Sequence, residues 1–312
     1  MRIESKRSLK YLLISAISIL FIFALATVML FIFRNEVVEK GIKNKTYLLI
    51  LSAILAFALG INLVYTYLKY SRKIIVDKEK ISFNGQYYEW KNIKEITLTG
   101  KKSFGILNSP LEATTITFLD NSRHFIFDDI YSNGAEIKAY IKNVIIDKKT
   151  DLISIENIIT EKDIQNEMFY NYSGNPVFSF RGIMMWGFII FILYLTFSTG
   201  GKISFSKKLI VFIPVCIVWF LINAYSMNYF QVSKNFLVIK NHYFFWKKNI
   251  FKLTDIEELV IETQPKQANM LRVITKDFKR KLYRAGTLKD STWHDLKDDL
   301  EKKNVIVRNE FI

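Results

Sequence analysis

The sequence predicts an integral membrane protein with four α-helical spans in two hairpins. Each hairpin is followed by a β-rich α+β domain on the cytoplasmic side, and the whole is internally duplicated. Three observations carry this prediction. Half of the 312 residues are hydrophobic and 15% aromatic, yet 23% are charged. That is too apolar for an ordinary soluble domain and too charged for a chain wholly inside a membrane. Four long runs carry no charge, and the segments between them repeat one pattern of turns and alternating apolar residues.

The uncharged runs are 11–33, 47–68, 182–201 and 209–233, the last taken as a span over 209–228. Each reaches the ~20 residues needed to cross a hydrocarbon core. The first is too long for a signal-peptide core and lacks a small-residue cleavage site before Arg34, so it is expected as a retained span. The implied order is a tail and first hairpin (1–68), a domain (69–150), a linker (151–181), a second hairpin (182–228) and a second domain (229–312). Lys and Arg set the orientation. Fourteen flank the spans on the side of the termini and long segments, against seven in the short loops 34–46 and 202–208. This bias predicts a multi-pass inner-membrane protein with both termini and both domains in the cytoplasm.

None of the four runs contains Asp, Glu, Lys, Arg or His. Ion and proton carriers place such groups inside the membrane, so translocation of that kind is not expected. Asn62 and Asn223, each followed by a tyrosine (Tyr65, Tyr225), read as interfacial residues in an aromatic belt.

In the first domain, strands are expected at 73–76, 80–83, 86–90, 93–98, 114–119 and 123–127. An Asn84-Gly85 hairpin turn and a Gly/Ser/Pro-rich loop at 100–113 interrupt them. A helix follows with Ser132 as N-cap, Ile137, Tyr140 and Ile141 on its inner face, and Asn143 as C-cap. The second domain repeats the order. Strands are expected at 230–233, 236–239, 242–246, 256–261, 271–275 and 278–283. A helix from Ser291 turns Trp293, Leu296 and Leu300 inward and ends at Asn304. KNVII (142–146) and KNVIV (303–307) correspond. In the linker, 155–168 reads as a helix, and NYSGNP (171–176) breaks it before the third span.

EWKNIKEITL (89–98) aligns with KLTDIEELVI (252–261). Trp90, Ile93 and Ile96 correspond to Leu253, Ile256 and Leu259, while the residues between them vary. A ligand-stacking tryptophan is hard to replace by leucine, so these six read as core where one strand turns into the next.

VDKEKISF-NG-QYYEW, the W-x-x-I-x-x-I step, further strands and a closing helix, all behind a membrane hairpin, resemble bacterial pleckstrin-homology-like membrane proteins. The resemblance covers both halves and implies a strongly bent, partly closed antiparallel sheet plugged at one end by the helix. It transfers no catalytic residues. The second half departs from the pattern in Leu253 and in about seven extra residues over 242–252. Phosphoinositide-binding relatives use a basic loop between the first two strands. Here those loops, 77–79 and 233–235, are short and form no cage, so that ligand is not expected.

Little points to catalysis. The three histidines, His124, His242 and His294, show no metal-ligand spacing. The single cysteine, Cys216, allows no internal disulfide. Asp128–Asp129 and Asp298–Asp299 read as solvated charge. No enzyme, cofactor or metal is expected. Residues 69–150 hold 14 Lys and Arg against 10 Asp and Glu, residues 229–312 hold 17 against 11, and the linker is acidic. Basic excess beside spans favours an anionic lipid surface over nucleic acid, which is not expected as a partner. Arg7, Lys10, Lys69, Arg72 and Lys73, next to the first hairpin, are the candidate lipid contacts. The expected role is binding or scaffolding through membrane lipids and a protein partner, with a homo-oligomer left open. The alternatives are lipid or envelope-polymer handling and immunity against a membrane-acting toxin.

Overall fold

A computed structural model of the chain describes residues 2–41, 44–105, 109–149, 161–198, 205–263 and 267–310. It divides into two units, Met1–Ile153 and Ser154–Ile312. Among the described residues there are six α-helices and four four-stranded sheets, antiparallel except for one strand pair.

The first unit begins with β1 (Ile3–Glu4), α1 (Leu9–Lys40) and α2 (Asn44–Tyr70). Ser8 caps α1, its Oγ accepting from the Tyr11 N–H at 3.3 Å. The helix runs well past residue 33, because RNEVVEK contains no breaker. Gly41 stops it, with φ +69° and its N–H donating to the Val37 carbonyl. The expected loop 34–46 is therefore mostly helix. Only 6% of the most apolar window of α1 and 11% of that of α2 is buried, and Ile17, Phe21, Leu55 and Ile61 stand exposed. Apolar surface on this scale marks a membrane or partner contact. Both helices are long and apolar enough to cross a membrane.

The rest of the unit is β2 (Ile74–Val76), β3 (Lys80–Phe83), β4 (Gln86–Glu89), β5 (Ile93–Thr97), β6 (Lys101–Phe104), β7 (Ser109–Phe118), β8 (Arg123–Phe127) and α3 (Gly134–Tyr140). One sheet has the order β1-β2-β3-β4, and in the other β7 pairs with β5, β6 and β8. Ile74, Ile81, Phe83, Ile116, Phe118 and Phe127 from the sheets, with Ile137, Tyr140 and Ile141 from the helix, form the core.

Three expectations change here. The stretch 100–113 is largely a hairpin of β6 with the first half of β7. Pro110 is tolerated because it lies beyond the end of β8, which flanks β7 only over Ala113–Thr117. Ser132 and Asn133 do not cap α3 through their side chains. They hold the tail instead: Asn133 Oδ1 accepts from the Lys6 N–H at 2.7 Å, and Ser132 Oγ donates to the Lys6 carbonyl at 3.2 Å. Asn143 is no C-cap, because α3 widens into a π-helix over Ile141–Ile146.

The second unit holds β9 (Tyr170–Tyr172), α4 (Phe180–Ser198), α5 (Phe205–Tyr225), β10 (Asn228–Val232), β11 (Phe236–Asn241), β12 (Lys248–Lys252), β13 (Ile256–Glu262), β14 (Met270–Thr275), β15 (Arg280–Arg284), α6 (Asp290–Lys302) and β16 (Val307–Glu310). Its sheets are β12-β11-β10-β9 and β15-β14-β13-β16, the last pair parallel. Helix α4 is also long and apolar enough to cross a membrane, while the apolar described stretch of α5 is Phe212–Tyr225. Asn62 and Asn223 each bond within their own helix, to Thr66 and to the Trp219 carbonyl.

Again several expectations change. Of the linker helix, 155–160 lies outside the described residues and Glu161–Ile164 is a 3-10 turn. Tyr170–Tyr172 adds an edge strand to β10 rather than only breaking a helix. Helix α5 stops at Tyr225, not 228, where Asn241 Nδ2 takes the Ala224 carbonyl at 2.9 Å. HYFFW is a turn, because Asn241 Oδ1 accepts from the Tyr243 and Phe244 N–H groups and bends the chain. Phe278 has φ +59° and belongs to a turn, so β15 starts at Arg280. KNVIV leads into a strand where KNVII is helical.

The two units share local devices. Asp77 Oδ1 accepts from the N–H of Glu79 and Lys80, as Ser233 Oγ does from Asn235 and Phe236. The Trp90 N–H donates to Glu79 at 3.1 Å and the Leu253 N–H to Asn235 at 2.8 Å, each opening a 3-10 turn. A register shift follows in both, at Ile93/Glu95 and at Ile256/Glu258.

Leu253, Ile256 and Leu259 are buried, whereas Trp90, Ile93 and Ile96 are half-buried against their core. β16 pairs with the edge of β13 that β14 leaves open, whereas among the described residues β5 pairs with β7 alone. The indole Nε1 of Trp90 donates to the Asp77 carbonyl at 2.8 Å. Trp90→Leu, which installs the other unit's residue, is expected to cost about 1–2 kcal/mol through that bond and part of the ring's burial. Thermal unfolding of the detergent-solubilised chain measures it.

Candidate functional site

Helix α2 ends with unpaired carbonyls, as every helix does, and distant side chains satisfy them. Tyr131 Oη shares its one proton between the carbonyls of Arg72, at 2.6 Å, and Tyr70, at 3.0 Å, and Arg7 Nε donates to that of Ser71 at 3.1 Å. Tyr131 is buried, and burial raises its phenol well above the ordinary tyrosine value, so it remains a donor. The cationic Arg7 also offsets the negative end of the helix dipole.

This clamp shapes a cavity of about 180 Å³ lined by Lys69, Tyr70, Arg72, Ile74, Phe83, Arg123, His124, Phe125 and Tyr131. Lys69, Arg72 and Arg123 form no ion pair among the described residues; Lys69 instead sits 5.5 Å from the Tyr70 ring. His124 stacks on Phe83 at 4.5 Å and lies 4.9 Å from Tyr88. Burial first, and the Arg72 charge second, hold its imidazole below the ordinary histidine value, while Asp120 opposes them. Asp120 itself accepts from the Ser122 N–H. The cavity thus offers three cations and a neutral histidine to an anion, at the end of a helix long enough to span a membrane.

The five predicted lipid contacts separate. Lys69 and Arg72 line the cavity. Arg7 is engaged by the Ser71 carbonyl, Lys73 pairs with Glu4 at 2.6 Å, and Lys10 is exposed on α1. Arg123 and His124 were not anticipated, because β8 is brought beside the end of α2 only by the fold. The one sequence signal is a basic pair opening a strand straight after a DNS turn. Asp128 also departs from expectation. It is not solvated but paired with Lys138 at 2.7 Å, the two side chains being 10% and 3% exposed.

The chain matches no known protein family, and no curated protein matches it in sequence. The site's chemistry alone carries the functional reading.

Proposed function

We propose that this protein is a non-catalytic, multi-pass inner-membrane protein, an internal duplication of hairpin plus PH-like domain, that binds anionic phospholipid headgroups through the basic cavity of its first unit. Both domains lie on the cytoplasmic side, as the Lys and Arg distribution favours. Duplication is supported by the shared element order, the paired Asp77 and Ser233 turns and the matching register shifts. The observation that carries the binding reading is the gathering of Lys69, Arg72 and Arg123, without acidic partners among the described residues, at the end of α2. Cations beside an anionic leaflet gain roughly 1 kcal/mol each.

The test is thermal unfolding of the full chain in neutral detergent with added phospholipid. Anionic lipid should raise Tm, zwitterionic lipid should not, and Arg72→Gln/Arg123→Gln should lose at least half of the gain while keeping the basal Tm. Equal gains from both lipids, or an undiminished gain in the double variant, sink the reading.

A pH dependence follows from His124. Its folded value lies below its unfolded one, so the unfolded chain binds the proton more readily. The stability contributed by the neutral ring is complete above an unfolded value of about 6.5 and is lost as pH falls below it. A bound anion favours the protonated ring and offsets that loss. The lipid-induced gain in Tm should therefore be larger at acidic than at neutral pH, and His124→Gln should flatten the difference.

A further inference from the structure

We propose that the hairpin of the second unit holds one anionic phospholipid, its phosphate between Arg181 and Arg284 and one acyl chain in a groove along α5. This goes beyond the first unit's cavity and shares with it only the reading that the hairpins lie in a membrane.

Arg181 is the second residue of α4, and Arg284 ends β15. Both are half-buried, and each lies within the other's electrostatic range. Neither forms an ion pair among the described residues; the Arg284 guanidinium donates to Gln267 Oε1 at 3.3 Å. Two neighbouring guanidiniums repel unless an anion joins them, and the guanidinium fork suits phosphate oxygens. Arg181 is held in place by close packing: a Cβ on Gly286 would lie 2.5 Å from its Nε.

The cavity containing both arginines is about 500 Å³, and its other wall is Leu221, Ile222 and Tyr225 of α5. At Ile222 it meets a second, wholly apolar groove of about 340 Å³, lined by Phe188, Pro214, Val215, Val218 and Trp219. From Pro214 to Ile222 the helix rises about 12 Å. Cations at one end and an apolar trough leading from them match an anionic head with an attached chain. A free anion has no use for the trough, and a cytoplasmic peptide cannot reach it along a membrane-crossing hairpin.

A neighbouring feature fits this depth. The turn after β11 exposes Phe245 (84%) and Trp246 (69%), and Lys247 lies 3.8 Å over the Tyr225 ring. Exposed aromatics beside a lysine are the composition of a membrane–water boundary.

The experiment is native mass spectrometry of the full chain in neutral detergent, in the Arg72→Gln/Arg123→Gln background so that the first cavity contributes nothing. One phosphatidylglycerol per chain should stay bound where phosphatidylcholine is stripped. Adding Arg181→Gln/Arg284→Gln should weaken retention at least tenfold, and Val218→Trp, which fills the groove and leaves both arginines, should do the same. Retention unchanged by either substitution overturns the proposal. Equal retention of the zwitterionic lipid, or displacement by inorganic phosphate at the concentration of the lipid, overturns it as well.

Discussion

Asp128→Ala is expected to destabilise the first unit by about 3–5 kcal/mol, a large part of the 5–15 kcal/mol that holds a typical domain folded. Lys138 Nζ lies 2.7 and 2.9 Å from the two Asp128 oxygens, and its side chain is 3% exposed. Among the described residues it has no other ion pair. Removing the carboxylate leaves an ammonium with neither water nor counterion. The pair links α3 to the residue just after β8, the strand that carries Arg123 and His124, so the loss should also reach the basic cavity. The double variant Asp128→Leu/Lys138→Met removes both charges and should recover most of the loss, because a buried pair is often no better than apolar residues of similar size. A double-mutant cycle on Tm checks this, and a double variant as unstable as Asp128→Ala would show that packing, not charge, sets the cost.

What the sequence revealed, and what it hid, follows from the range of the interactions involved. The apolar runs needed no partner to be recognised, since length and absence of charge are local. The Asn84-Gly85 turn was equally local, and both residues have the positive φ such a turn requires, +52° and +87°. The edge strands were hidden. β1 pairs Ile3 with Val76 across the whole first hairpin, and two residues cannot display alternation. β9 likewise joins β10 across α4 and α5. Local signals also misled where a side chain served the fold at a distance. Ser132 and Asn133 look like caps and hold the tail; HYFFW looks like a strand and is bent by Asn241. The cavity is the extreme case. Lys69 and Arg72 stood out as flank charges, but only the β7–β8 hairpin brings Arg123 and His124 to them. The basic pair that opens RHFIF is the one local signal, and a solvated strand end carries the same one.

Trp293→Ala should cost the second unit about 3–5 kcal/mol, well above the expected loss for Trp90→Leu. The contrast rests on burial. Trp293 is fully buried at the centre of the α6 inner face, 5.4 Å from the Phe230 ring, and shares its core with Leu253, Ile256 and Leu259. Trp90 is half-buried, and leucine keeps some of its packing. Helix α6 is strongly polar apart from Trp293, Leu296 and Leu300, so these three residues attach it to the sheets. β16 follows α6 directly and covers the edge of β13. Losing the indole should therefore loosen more than one side chain. Hydrogen exchange across 290–310 should rise together with the fall in Tm, while Trp293→Phe should retain much of both. If Trp293→Ala costs no more than Trp90→Leu, then α6 is a surface helix, and the comparison of a closing helix with a plug at the end of a bent sheet fails for this unit.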